Sequence, residues 1–335
     1  MGARALRVGL VGLGAIGHQH ARVLSQLDGV QLVGIVDPAG DPTGEWTPLL
    51  TELPALLAGG LDYAVIASPA ETHTTIGLTF AEHGVPALIE KPLGGSVATA
   101  TALVEGFEAA GVLAGAAHIE RYNPALRGLR SRLDAGELGR IFQVVTSRQG
   151  PLPARMGTLG VVMDLATHDV DLVRWVTGQE YATVAARAMV APGYQHEGLV
   201  TITGELTDGT LVSQLVNWMS PFKERRTVVT GERGCFVADT VLADLTFYAN
   251  GAIDTEWDAL RTFRGVAEGD AIRYALVKRE PLVLAHEHFR DAVDGKDSDI
   301  VPLRQALRAI EICDAVLRSS ATGTTVDCRP TQRTR

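Results

Sequence analysis

The chain has 335 residues, of which 46% are hydrophobic and 21% charged, with 36 glycines and a formal net charge of −9. That length exceeds one ordinary hydrophobic core and implies two domains. The excess of 39 acidic over 30 basic residues argues against a nucleic-acid or anionic-membrane surface as the main partner.

Cys235, Cys313 and Cys328 fit neither a disulfide framework nor a zinc spacing, and no cluster calls for a metal. No apolar run approaches the length of a membrane span, and "MGARALRVGL" enters a strand without a secretory pattern. A reducing cytoplasm is the expected compartment.

Over residues 1–120, short apolar runs alternate with helical patterns. "LRVGLVG" reads as a strand, followed by a helix from Ala15 to Leu27 with Ile16, His20, Val23, Leu24 and Leu27 on one face. "QLVGIVD", "LDYAVIAS", "VPALIE" and "GVLAGAAH" read as further strands. Helices are expected over Glu71–His83 and Val97–Ala110. This alternation predicts an α/β, doubly wound parallel sheet. After Asp37, "PAGDPTGEWTPLLTELPALLAGG" leaves room for one short helix, which Thr47-Pro48 is expected to open.

From Arg121 the texture changes. Pro124 opens a helix in "NPALRGLRSRL". "GLVTITGELTDGTLVSQLVNW" then reads as two strands joined at Asp208-Gly209, and "RRTVVTGERGCFVAD" repeats the pattern. Strands without intervening helices predict an α+β domain with an open, mostly antiparallel sheet over residues 121–323. Helices over Leu282–Val293 and Leu303–Ser319 close it, and residues 324–335 are expected to form a polar, disordered tail.

Three stretches carry chemistry. "VGLGAIG" places Gly12, Gly14 and Gly17 between the first strand and first helix, where a tight turn and a helix N-terminus can seat a pyrophosphate. Asp37, at the end of the second strand, can take the hydroxyls of an adenosine ribose. A carboxylate there repels a 2′-phosphate, and Pro38-Ala39 offers no Arg or Ser to bind one, so NAD is preferred over NADP.

"EKPLGG" puts Glu90 and Lys91 where a buried strand emerges, either as a charged turn or as chemistry. "VVMDLATHDVDLVRWVTG" spaces Asp164 and His168 four apart, on one face of a helix that Asp171 and Trp175 extend. That pair is either an acid–base couple or a paired histidine on an amphipathic helix. His20, on the apolar face of the first helix, reads as a packed, hydrogen-bonded histidine. His286 and His288 of "HEH" fall on different helix faces.

In this order, the GxGxxG opening, "VIASPAETH", "EKP" and the Asp-x-x-x-His helix resemble the Gfo/Idh/MocA oxidoreductases, from Val8 to about Gly323. The resemblance implies a Rossmann domain followed by an open-faced sheet domain, and NAD(P)-dependent oxidation or reduction of a sugar or cyclitol carbon. It implies catalytic roles for Lys91, His168 and Asp164, and cofactor contacts at Gly12, Gly14, Ala15, Ile16, Asp37, Ser68, Pro69, His73, Glu90 and Lys91.

"HIERYNPAL", "SRQGPLP" and "NWMSPFKERRTVVTGERG" are similar to the nucleotide-sugar subgroup, notably UDP-N-acetylglucosamine 3-dehydrogenases. By that resemblance Arg121, Tyr122, Asn123 and Arg148 lie beside the substrate, with Lys223 a weaker candidate. Surface solvation is the other reading of Arg121 and Arg148. Assembly as a homodimer or homotetramer through the second-domain sheet is likewise implied by resemblance alone.

The expected activity is NAD-dependent oxidation of a sugar secondary alcohol, at C3 of a UDP-amino sugar, to a 3-keto sugar. Lys91 or His168 would take the hydroxyl proton, and the residues do not choose between them. Another nucleotide, nucleoside, sugar or cyclitol, or the reductive direction, remains open. So does a non-catalytic dinucleotide sensor, although Lys91, Asp164 and His168 together count against it.

Overall fold

The computed structural model describes residues 4–41, 43–50, 52–152, 159–191, 194–251 and 269–329. It divides into two units, Met1–Tyr122 with Glu280–Glu311, and Asn123–Arg279 with Ile312–Arg335.

The first unit begins with β1 (Leu6–Val11), α1 (Ala15–Gln26), β2 (Val30–Val36), β3 (Leu49–Leu50), α2 (Leu53–Ala58), β4 (Tyr63–Ile66) and α3 (Ala70–Glu82). β5 (Ala87–Ile89), α4 (Val97–Ala110) and β6 (Ala114–Ala116) follow. The six strands pair in parallel in the order β3-β2-β1-β4-β5-β6. β4 is buried along its whole length, as a central strand covered on both faces must be. The helix α4 has both a local start and a local stop. Ser96 and Thr99 form a reciprocal capping box on α4, and Gly111 ends it in the left-handed region at φ 64°.

The segment after Asp37 differs from expectation. Thr47-Pro48 does not open the short helix; α2 starts at Leu53, with Pro54 in its first turn. Leu49 and Leu50 pair instead with Ile35 and Val36 as an edge strand, because the outer side of β2 offers unpaired backbone groups.

The second unit is built on α5 (Pro124–Asp134), β7 (Ile141–Pro151), α6 (Thr167–Thr177), β8 (Tyr181–Met189), β9 (Leu199–Leu206), β10 (Leu211–Asn217), β11 (Met219–Gly231), β12 (Gly234–Asp239), β13 (Asp244–Ala249) and β14 (Ala271–Arg273). After α7 (Pro281–Val293) and α8 (Leu303–Thr322), β15 (Val326–Asp327) ends the described chain. The nine strands run β14-β13-β12-β11-β7-β10-β9-β8-β15, with β7–β10 the parallel pair in an otherwise antiparallel ladder.

The division is not linear at residues 120 and 323. α7 packs with the first unit, where Phe289 is fully buried against Tyr63, with ring centroids 5.4 Å apart. The Val301 carbonyl extends the β6 ladder by accepting the Ala116 N–H at 2.9 Å. The expected disordered tail is also corrected in part. Val326 and Asp327 pair with Val184 and Thr183, and Cys328 is buried while its N–H donates to the Ala182 carbonyl. The free edge of β8 supplies those bonds; residues 330–335 lie outside the described residues. Among the described residues no helix is long and apolar enough to cross a membrane.

Candidate active site

Strand order reverses between β1 and β4, and their carboxyl ends carry the glycine loop and Ser68. Gly12 sits at φ +96°, and a Cβ on it would lie 2.5 Å from the Ser68 nitrogen. A Cβ on Gly17 would lie 2.2 Å from the Gly12 carbonyl oxygen. Both positions therefore require glycine. Gly14 is the N-cap of α1, and it and Ala15 are exposed while Ile16 is half-buried, so the helix terminus stays open to an anion.

The half-buried Asp37 carboxylate accepts the Leu13 N–H at 2.6 Å and the Ala39 N–H at 2.8 Å. It fixes the glycine loop from below, and each oxygen keeps a lone pair for a ribose hydroxyl. These features fit a dinucleotide cradle.

His73 ties this cradle to the EKP turn. Its imidazole is buried, with Nε2 2.8 Å from the Ser68 carbonyl and Nδ1 2.9 Å from the Pro92 carbonyl. Burial holds its pKa below the ordinary value, against the opposing pull of those carbonyls and of Glu90 and Glu71. Ser68 bonds Thr72 through its hydroxyl, and the exposed Pro69 caps α3. Lys91 is half-buried just past β5.

Glu90 is buried and turned inward. Oε1 faces His20 at 3.0 Å and Oε2 accepts the Lys91 backbone N–H at 3.0 Å. As read from sequence, His20 is buried and hydrogen-bonded.

In the second unit, Asp164 lies in a π-helical turn, Val162–Ala166, that leads into α6. The expected continuous α-helix is thus interrupted between Asp164 and His168 by i→i+5 bonding, which shifts their relative facing. Both side chains are half-buried, whereas Asp171 and Trp175 are buried. Glu197, which sequence reasoning missed, caps this turn. Its Oε1 accepts the Val162 N–H at 3.1 Å and its carbonyl accepts the Val161 N–H at 2.9 Å. A Cβ on Gly160 would lie 2.1 Å from Glu197 Oε1.

The four substrate-side candidates are not surface side chains. Arg121 is buried and donates to Gln305 Oε1 at 2.5 Å. The Tyr122 hydroxyl donates to the Asp299 carbonyl, and its ring stacks on His288. Asn123 caps α5 through the Ala125 N–H and donates to the Thr240 carbonyl. Arg148 donates through Nε to both oxygens of Asp169 at 3.0 Å, a partner with no local sequence signal. Lys223 is exposed.

A parallel α/β unit with a glycine cradle for a dinucleotide, joined in one chain to a broad sheet unit, defines a nucleotide-dependent oxidoreductase architecture. Residues 6–118 match the model of the oxidoreductase family with an NAD-binding Rossmann fold, and residues 126–237 match the GFO/IDH/MocA C-terminal domain. The chain belongs to the Gfo/Idh/MocA oxidoreductases, and its cofactor is NAD.

It is 32% identical over 228 residues to inositol 2-dehydrogenase 4 of Saccharopolyspora erythraea, covering 64% of this chain and 67% of that protein. In structure it is similar to the UDP-N-acetylglucosamine 3-dehydrogenase GnnA of Acidithiobacillus ferrooxidans, with TM-score 0.84, 24% identity and 95% and 98% of the two chains covered. It is also similar to GenD2 from gentamicin A biosynthesis in complex with NAD, with TM-score 0.79, 25% identity and 97% of each chain covered.

Proposed function

We propose that this oxidoreductase moves a hydride between NAD and a secondary alcohol of a sugar or cyclitol. The observation that carries the reading is the His73 bridge, which joins the Ser68 loop over Gly12 to the EKP turn bearing Lys91. NAD, when bound, supplies the acceptor for the carbinol hydride. Gly12, Gly14, Ala15, Ile16 and Asp37 hold it, with Ser68 and Pro69 beside them.

Lys91 and His168 are the candidates for taking the hydroxyl proton, and Asp164 orients His168. Arg121, Tyr122, Asn123 and Arg148 shape the substrate side by fixing backbone, since their side chains already bond within the chain.

The finer reading is C3 of a UDP-amino sugar, giving a 3-keto sugar. The stretches "HIERYNPAL" and "NWMSPFKERRTVVTGERG" support it. The 32% identity to an inositol 2-dehydrogenase favours a second reading, a cyclitol hydroxyl. NADH formation followed by absorbance over UDP-sugars, free sugars, inositols and nucleosides decides between them. Tight NAD binding with no turnover on any of these would favour a sensor.

We also place the protein in the cytoplasm as a homodimer or homotetramer. Cys235, Cys313 and Cys328, whose number and spacing fit no disulfide framework, support the first part. The exposed Phe142, Met189, Leu211, Phe222 and Tyr248 on the nine-stranded sheet support the second.

A further inference from the structure

Behind the EKP turn, three titratable side chains from distant parts of the sequence form one buried chain. His20 on α1 is fully buried, with Nε2 3.0 Å from Glu90 Oε1 and Nδ1 2.8 Å from Nε2 of His286 on α7. The second Glu90 oxygen accepts the Lys91 N–H. His286 is also fully buried, and its Nδ1 has no hydrogen-bond partner among the described residues.

The proton inventory of this chain is restricted. Facing a carboxylate, His20 Nε2 must carry a proton and donate it. If His20 is neutral, its Nδ1 is a lone pair that accepts the His286 Nε2–H, and only a lone pair stays unpartnered at His286 Nδ1. If His20 is charged, its Nδ1–H donates to His286 Nε2, and a buried N–H is stranded at the far end. The first arrangement avoids a stranded donor. Burial also pushes the His286 pKa well below its ordinary value. Burial pushes the Glu90 carboxyl up, but the hydrogen bond from His20, together with the charge and N–H of Lys91, outweighs it and holds the group below its usual range.

We propose that His20 and His286 are positioning residues for Lys91: they keep Glu90 as an oriented anion that grips the Lys91 backbone and sets the charge behind its amine. His286 fixes the His20 tautomer, His20 fixes Glu90, and Glu90 fixes the start of the EKP turn. His73 from α3 feels the Glu90 charge across the turn. This role rests on the reading of Lys91 as the catalytic amine.

The test reads Lys91 directly and needs no substrate. In the full-length protein, acetylation of Lys91 by a water-soluble acetylating reagent is followed by peptide mass spectrometry from about pH 6 to about pH 11. The rate is taken relative to Lys296, whose side chain is 59% exposed. Removing the anion favours the neutral amine, so His20→Leu and Glu90→Gln should raise the relative rate at least about threefold and move its midpoint to lower pH.

His20→Gln restores an N–H donor and should stay within about twofold of the parent protein. Glu90→Gln is nearly isosteric and carries the test if His20→Leu does not fold. Parent-like rates in Glu90→Gln overturn the proposal. Equal effects of Leu and Gln at position 20 also overturn it, because volume and not the donor would then matter. Failure of every alcohol to yield NADH would instead fall on the proposed function, with the labelling ratios unaffected.

Discussion

Arg148 and Asp169 form a buried pair in which one guanidinium Nε–H is shared between both carboxylate oxygens at 3.0 Å, with side chains only 5% and 4% exposed. The pair joins β7 to α6, the helix that carries His168. Removing one partner leaves a buried charge uncompensated, at a cost of about 3–5 kcal/mol. Arg148→Met should therefore lower the unfolding free energy by that amount, with the denaturant midpoint falling at unchanged slope. A variant with parent stability and raised KM alone would show that Arg148 works on substrate and not on the fold.

Gly12→Ala should break NAD binding. The left-handed backbone there costs a non-glycine residue about 1–2 kcal/mol, before the added Cβ meets the Ser68 nitrogen. NADH fluorescence titration should show at least about tenfold weaker binding, with a smaller loss of melting temperature.

Asp37 holds Leu13 as well as facing the ribose side, so its replacement has two effects. Asp37→Ser should lower the NAD over NADP preference at least about tenfold by removing the charge that repels a 2′-phosphate. It should also weaken binding of both, because the Leu13 N–H loses its acceptor. Paired titrations with NADH and NADPH separate these contributions.

Lys91→Ala and His168→Ala should each lower kcat by about 10²–10⁴ while NAD affinity stays within about threefold. Near-parent turnover in Lys91→Ala would assign the proton to His168 alone.

Acid should destabilise the first unit in two stages. His286 and His73 have folded pKa values below their ordinary ones, so between the two values the unfolded chain binds more protons. Their contribution is complete above about pH 6.5 and falls as pH drops below it. Glu90 is also depressed, so its contribution is lost further down, as pH falls through the carboxylate range. His286→Leu should flatten the stability–pH slope between about pH 5 and pH 7, by up to about 1.4 kcal/mol per pH unit. Urea titrations at several pH values measure it.

The elements of the first unit were legible because each is specified locally. Glycines after a strand, a capping Ser96 and alternating apolar runs need no distant partner. The α2 start at Leu53 was missed because Leu49-Leu50 takes its conformation from an edge of β2, not from its own propensity. The same reason hid the π-helical turn at Asp164, which Glu197 caps from 35 residues away.

The sequence by itself determined the order of parallel crossovers, the dinucleotide loop, Asp37 at the second strand's end and the candidate acid–base residues. Spacing along a regular element already sets which side chains are neighbours. Only the tertiary structure decided which charges are buried and what holds them. Glu90 is held by His20, with His286 behind it, and Arg148 is held by Asp169. Those partners come from other elements, and a buried charge is defined by what folding brings against it.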